Sequence, residues 1–73
     1  SYQVDASMKD NLKTLVGKKL YVHLDSGTTL SGYLKAVGNH LIHLERLDRK
    51  DFYDALIKID EIIAIDTQFR KYK

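Results

Sequence analysis

At 73 residues the chain has the length of one small domain, a size that buries only about 60% of its unfolded surface. It contains no cysteine, so neither a disulfide nor a thiolate zinc site can staple it, and its three histidines, His23, His40 and His43, have no cysteine partners. A formal charge of +2 with a pI near 8.9 is mildly basic, too weak by itself to establish a nucleic-acid partner.

No apolar run approaches the ~20 residues of a membrane span, and no basic-then-apolar leader pattern precedes the first apolar residues. The expectation is therefore a soluble, cytoplasmic protein with no membrane partner. Without disulfides or metal, oligomerisation is the remaining aid to the stability of so small a core.

Residues 1–6 read as a loose lead-in. Ser7 then offers an N-cap with Asp10 three residues on, an approximate capping box. Met8, Leu12, Leu15 and Val16 recur at helical spacing, Lys9, Asp10 and Lys13 face away, and Gly17 sits where a left-handed C-cap belongs. A helix of about ten residues is marginal alone, so it must lie on something, and the open end of a strand barrel is the platform expected.

The segment from Lys18 to Val37 reads as a β-hairpin. Leu20, Val22 and Leu24 alternate with Tyr21 and His23, and Leu30 and Leu34 alternate with Ser31, Tyr33 and Lys35. Asp25, Ser26, Gly27 and Thr28 supply the turn. Gly32 interrupts the second strand where a Cβ would sit over the core, which predicts a bulge or sharp bend that curls the sheet into a small barrel.

Gly38 and Asn39 signal a second tight turn before a strand at residues 40–47. Its Leu41, Ile42, Leu44 and Leu47 cannot all face one way, which points either to a bulge or to apolar side chains on both faces, the second of which implies another surface covering them. Asp48, Arg49, Lys50 and Asp51 form a charged loop. Two strands rich in β-branched residues follow at residues 52–59 and 62–66, joined by Asp60 and Glu61. Leu56, Ile57, Ile62 and Ile63 again place apolar groups on both faces. In a chain this small, that predicts a core on one side and a neighbouring subunit on the other. Residues 67–73 form a basic, aromatic tail carrying Phe69, Arg70, Lys71, Tyr72 and Lys73.

A helix followed by five short strands, with a bend glycine in the second strand and a tight connection before the fifth, resembles the Sm-like (LSm and Hfq) family. Leu15, Val16, Gly17 and Lys18, then Val22, Leu24, Gly27, Gly32 and Leu34, are similar to the first Sm motif. Residues 56–65, Leu-Ile-Lys-Ile-Asp-Glu-Ile-Ile-Ala-Ile, are similar to the second. The likeness spans residues 8–66. It implies a mainly β fold: a short N-terminal helix and a five-stranded, strongly bent antiparallel sheet forming a small open barrel, with the whole chain a single domain. It also implies a homo-oligomeric ring, in which the fourth strand of one subunit pairs with the fifth of the next, around a pore that in many relatives binds uridine-rich or adenine-rich RNA.

This chain departs from the family pattern at the positions that hold the base. Gly38 stands at the place of an acid, and Ile42, or Leu41 if one residue is deleted, at the place of an asparagine. Lys58 replaces an arginine and Ile59 a glycine, and lysine lacks the planar fork that lets a guanidinium stack and bond together.

The candidate RNA-binding residues are His40, Asn39, Lys58, Asp60, Tyr33 and Lys35. His40 either stacks on a base or is a polar turn residue. Lys58 either meets a phosphate or pairs with Asp60 or Glu61. Tyr21, His23, Tyr33 and Lys35 share the outward face of the hairpin, as a stacking platform or as an ordinary cross-strand cluster. The tail either binds RNA or a neighbour, or frays as termini do.

Catalytic signatures are missing. There is no cysteine nucleophile, no glycine-elbow serine and no phosphate-cradling glycine loop, and Asp48, Asp51 and Asp54 lack the glycine of a calcium loop. The expectation is a non-enzyme without cofactor or metal. It is either a ring that binds single-stranded RNA or an assembly module that forms a ring without base-specific binding.

Overall fold

The computed structural model describes residues 1–48 and 52–71. Helix α1 (Met8–Lys13) begins as its cap predicts, with the Asp10 N–H donating to Ser7 Oγ at 3.0 Å. It is six residues long, shorter than the spacing of apolar residues suggested. The chain then tightens into successive turns, in which Leu15 N–H donates to the Leu12 carbonyl and Lys18 N–H to the Leu15 carbonyl, each at 2.9 Å. These turns carry Leu15 into the core and leave Val16 exposed, where helical spacing had put it on the apolar face. Gly17 ends them at φ +91°, the left-handed conformation expected of it.

Five strands follow: β1 (Lys19–Leu24), β2 (Thr29–Val37), β3 (Leu41–Arg46), β4 (Asp54–Lys58) and β5 (Ile62–Asp66). They form one antiparallel sheet in the order β4-β3-β2-β1-β5. The β1–β2 turn is the one read from sequence, with Gly27 at φ +93°. A single 3-10 turn (Ile59–Glu61) carries the chain from β4 to β5. In the charged loop, residues 49–51 lie outside the described residues, as do Tyr72 and Lys73 of the tail.

The sheet curls because β1 pairs with the first half of β2 and β3 with the second half. Gly32 is buried where the halves overlap. A Cβ there would collide with the Glu45 carbonyl oxygen and come within 2.7 Å of its carbon, so the space is closed by the backbone of β3 and not, as the sequence suggested, by core side chains. The register shift itself falls later, between Leu34 and Ala36, with a second between His23 and Leu24.

Leu12, Leu15, Leu20, Val22, Leu34, Ile42, Leu44, Ile57 and Ile62 form the core inside this curl, with Met8 and Leu30 against its margin. α1 closes over it, and Gly17 N–H donates to the Leu34 carbonyl at 2.7 Å to join helix and sheet. No described side-chain polar atom is buried without a partner.

The first residues are tied down where a loose lead-in was expected. Gln3 N–H donates to Asn11 Oδ1 at 2.8 Å, and Asn11 Nδ2 donates back to the Gln3 carbonyl at 2.9 Å. The Tyr2 ring meets Phe69 edge to face at 4.9 Å.

Candidate nucleic-acid interface

Two connections that are far apart in sequence meet at one end of the curled sheet. The β2–β3 turn is closed by Gly38 N–H donating to the Leu41 carbonyl at 2.8 Å. The 3-10 turn is pinned on both sides: Ile59 N–H donates to the His40 carbonyl and Asp25 N–H to the Glu61 carbonyl, both at 2.9 Å. Asn39, His40, Lys58, Ile59 and Asp60 consequently line a single small pocket of about 180 Å³. Four of the six candidates read from sequence come together here. Tyr33 and Lys35 do not line it; they lie exposed along β2, with Tyr33 opposite Lys19 of β1.

The pocket combines a flat imidazole, an amide, an ammonium and a carboxylate. Lys58 Nζ lies 4.0 Å from Asp60 Oδ1 and 3.9 Å from Glu61 Oε2, at the outer limit of ion pairing and in exposed surroundings. Pairs of this kind contribute roughly 0–1 kcal/mol, so the ammonium stays available to a ligand phosphate. The positions compared above with the family's asparagine hold no hydrogen-bonding group: Ile42 is fully buried in the core, and Leu41 faces outward opposite Lys58. Ile59, where the family has glycine, packs its side chain against the core.

Away from the pocket, β4 and β5 are the two edges of the sheet. Ile57 and Ile62 point inward, which turns Leu56 and Ile63 outward, 72% and 66% exposed. Each edge strand is clamped to its inner neighbour by a histidine. His43 Nε2 donates to Asp54 Oδ2 from β3 to β4, and His23 Nε2 to Asp66 Oδ2 from β1 to β5, both at 2.7 Å. Sequence reasoning missed both clamps because it grouped His23 with its hairpin neighbours, as a stacking platform or a cross-strand cluster, and weighed His43 only as a metal ligand without cysteine partners, so neither was matched to an aspartate. The available signal was a histidine and an aspartate on neighbouring strands of matching alternation. At the far end of β3, Arg46 makes two hydrogen bonds to Asp48, at 2.9 and 2.7 Å. These bonds raise its pKa against the opposing effect of desolvation. Among the described residues no cluster of histidine and carboxylate side chains could hold a metal ion.

No family model matches the chain, and no curated protein sequence matches it. Among solved structures, the crystal structure of an SmAP (LSm) protein from Methanococcus vannielii superposes with a TM-score of 0.65 at 22% identity, over 80% of this chain and 90% of that one. The chain has the Sm-like fold. The short helix, the strand order and the bent second strand are those of that architecture, and what the Sm-like fold does in this protein is set by the side chains it carries at its loops and edges. Among the described residues no helix is long and apolar enough to cross a membrane.

Proposed function

We propose that the chain is a ring-forming, non-enzymatic protein that binds short single-stranded RNA, uridine-rich or adenine-rich, at the His40–Lys58 pocket facing the pore. The observation that carries this reading is the convergence of Asn39, His40, Lys58 and Asp60 on one pocket held by the Ile59–His40 backbone bond. In this reading His40 stacks on a base, Lys58 neutralises a phosphate, and Asn39 and Asp60 hydrogen-bond the base or sugar. Repetition around a ring would multiply one weak charge per subunit.

Assembly would follow from the edges. Two unpaired strands with outward Leu56 and Ile63 are an aggregation hazard unless covered, and pairing β4 of one copy with β5 of the next removes every edge at once. Light scattering tests this half. A single mass that is a multiple of 8.4 kDa and constant with concentration is expected. A monomer at micromolar concentration, or an open-ended series, overturns it.

The RNA half is tested by fluorescence anisotropy with a labelled uridine-rich oligonucleotide across a salt series. Lys58→Ala should flatten the dependence of log affinity on log salt, by about 0.7 for each phosphate that is no longer neutralised. His40→Ala should weaken binding and leave that slope unchanged. A chain ending at Thr67 measures the tail separately, and loss of binding only in that chain would move the site away from the pocket.

A second reading, a ring that binds no RNA and presents its surface to a protein, is favoured by one observation. Ile42 and Leu41 supply no hydrogen-bonding group where the family pattern has one. Absence of binding to any single-stranded oligonucleotide at low salt would select it.

A further inference from the structure

We propose that the outward face of β1, where the end of β5 folds against it, is a second site for single-stranded nucleic acid, built from Lys18, Lys19, Tyr21 and Gln68. The proposal stands on residues that do not line the His40 pocket. Strand alternation sets the face: with Leu20 and Val22 buried, Lys19 and Tyr21 both point outward. The segment after β5 is then anchored beside them, because the Thr67 hydroxyl donates to the Lys19 carbonyl at 2.9 Å. An open-sided pocket of about 490 Å³ results, lined by Lys18, Lys19, Tyr21, Asp66, Thr67 and Gln68.

The charges in this pocket are arranged for an anionic, flat ligand. Asp66, its one carboxylate, is engaged by His23 at 2.7 Å, and among the described residues neither lysine is in an ion pair. The ammonium groups lie against aromatic faces, Lys19 Nζ 5.7 Å from the Tyr21 ring centre and Lys18 Nζ 5.9 Å from that of Phe69. A lysine held over a ring keeps its remaining N–H groups for an anion, while the ring edge and opposite face stay open to a second flat group. A ligand that satisfies both carries a phosphate and a base.

The positive charge continues past one phosphate. Arg70 lines an adjoining pocket that shares Thr67 and Gln68 with this one, so a strand of at least two nucleotides fits the surface better than a mononucleotide. The Gln68 amide offers both a donor and an acceptor to a base edge. The frame is rigid, since Lys18 N–H donates to the Leu15 carbonyl at 2.9 Å and the Lys18 carbonyl accepts from Leu34 N–H at 3.0 Å. The five residues of β5 hold this pocket and the 3-10 turn roughly 16 Å apart along the strand, so the two sites are engaged separately.

The test is anisotropy of a labelled uridine hexanucleotide on the full chain, both in the wild-type background and in His40→Ala/Lys58→Ala. In both backgrounds Lys18→Gln/Lys19→Gln should reduce the salt slope by about 1.4, two phosphates at about 0.7 each. Tyr21→Leu should weaken binding roughly 5- to 150-fold with the slope preserved, as removal of one stacked base does. Uridine monophosphate should compete only weakly; competition equal to the hexanucleotide would assign the site to free nucleotides and overturn the strand. Unchanged affinity and slope in these variants overturns the site. So does a change in assembly mass by light scattering in Lys18→Gln/Lys19→Gln, which would make the pocket a contact between subunits.

Discussion

Replacing Gly32 with alanine adds one methyl group at the tightest point of the sheet, and the structure sets the size of the effect. The new Cβ would overlap the Glu45 carbonyl oxygen and lie 2.7 Å from its carbon and 3.0 Å from Arg46 Cα. All three are backbone atoms of β3, held by the pairs Gly32↔Arg46 and Tyr33↔Glu45 and by Leu47 N–H donating to the Ser31 carbonyl at 2.8 Å. No rotamer change can make room, so the strands must part. Overpacking of this kind costs about 1–3 kcal/mol, and a weakened ladder hydrogen bond about 1 more. The reduced freedom of the unfolded alanine chain offsets about 0.4–1 kcal/mol. The net loss is about 1–3.5 kcal/mol, which for a domain of this size lowers the thermal midpoint by roughly 5–25 °C. Gly38→Ala is the control, because its Cβ would meet only the Leu41 carbonyl at 3.5 Å, an ordinary contact. Thermal melts followed by circular dichroism at one fixed protein concentration give both numbers. A Gly32→Ala midpoint equal to wild type, or a Gly38→Ala midpoint lowered as far, would refute the close-approach argument.

Other substitutions probe the remaining elements. Ser7→Ala removes the acceptor for Asp10 N–H and should cost about 1 kcal/mol in urea unfolding. Tyr2→Ala should cost about 0.5–1.5 kcal/mol beyond its lost burial if the edge-to-face contact with Phe69 holds the first residues in place, and nothing if they are free. Leu56→Glu places a charge on the outward face of β4, clear of the core. It should leave the far-ultraviolet spectrum unchanged and reduce the light-scattering mass to that of one chain.

The parts legible in the sequence were those fixed by local chemistry. The Ser7 cap, the turn at residues 25–28 and the limits of β5 each depend on a few neighbouring residues, and they stand in the structure as read. The length of α1 was not legible. Its end is set by the need to deliver Gly17 N–H to the Leu34 carbonyl, a contact made across the fold, and that early stop turned Val16 out. For Gly32 the residue was identified and its neighbour was not, because which strand would close over it depends on how β3 registers against β2.

The candidate site was legible in the same way. His40 and Lys58 could be named from residue type and from a family likeness, while their meeting depends on a backbone bond between segments nineteen positions apart, Ile59 N–H to the His40 carbonyl. Tyr33 and Lys35 joined the candidates through strand alternation, which fixes the face of a sheet and says nothing of position along it. Of the Lys18–Tyr21 pocket, Tyr21 and the tail were each named from sequence, but their meeting was not legible, because half of the pocket arrives from the far end of β5.

The claim that RNA is held at the His40–Lys58 pocket is tested most directly by photo-crosslinking. A short uridine-rich oligonucleotide carrying one thiouridine is irradiated on the full chain, and the attached peptides are sequenced. Crosslinks are expected in the peptides that contain Asn39 and His40 and Lys58 to Asp60, with the first lost in His40→Ala. Efficient crosslinking that never falls in either segment would contradict it.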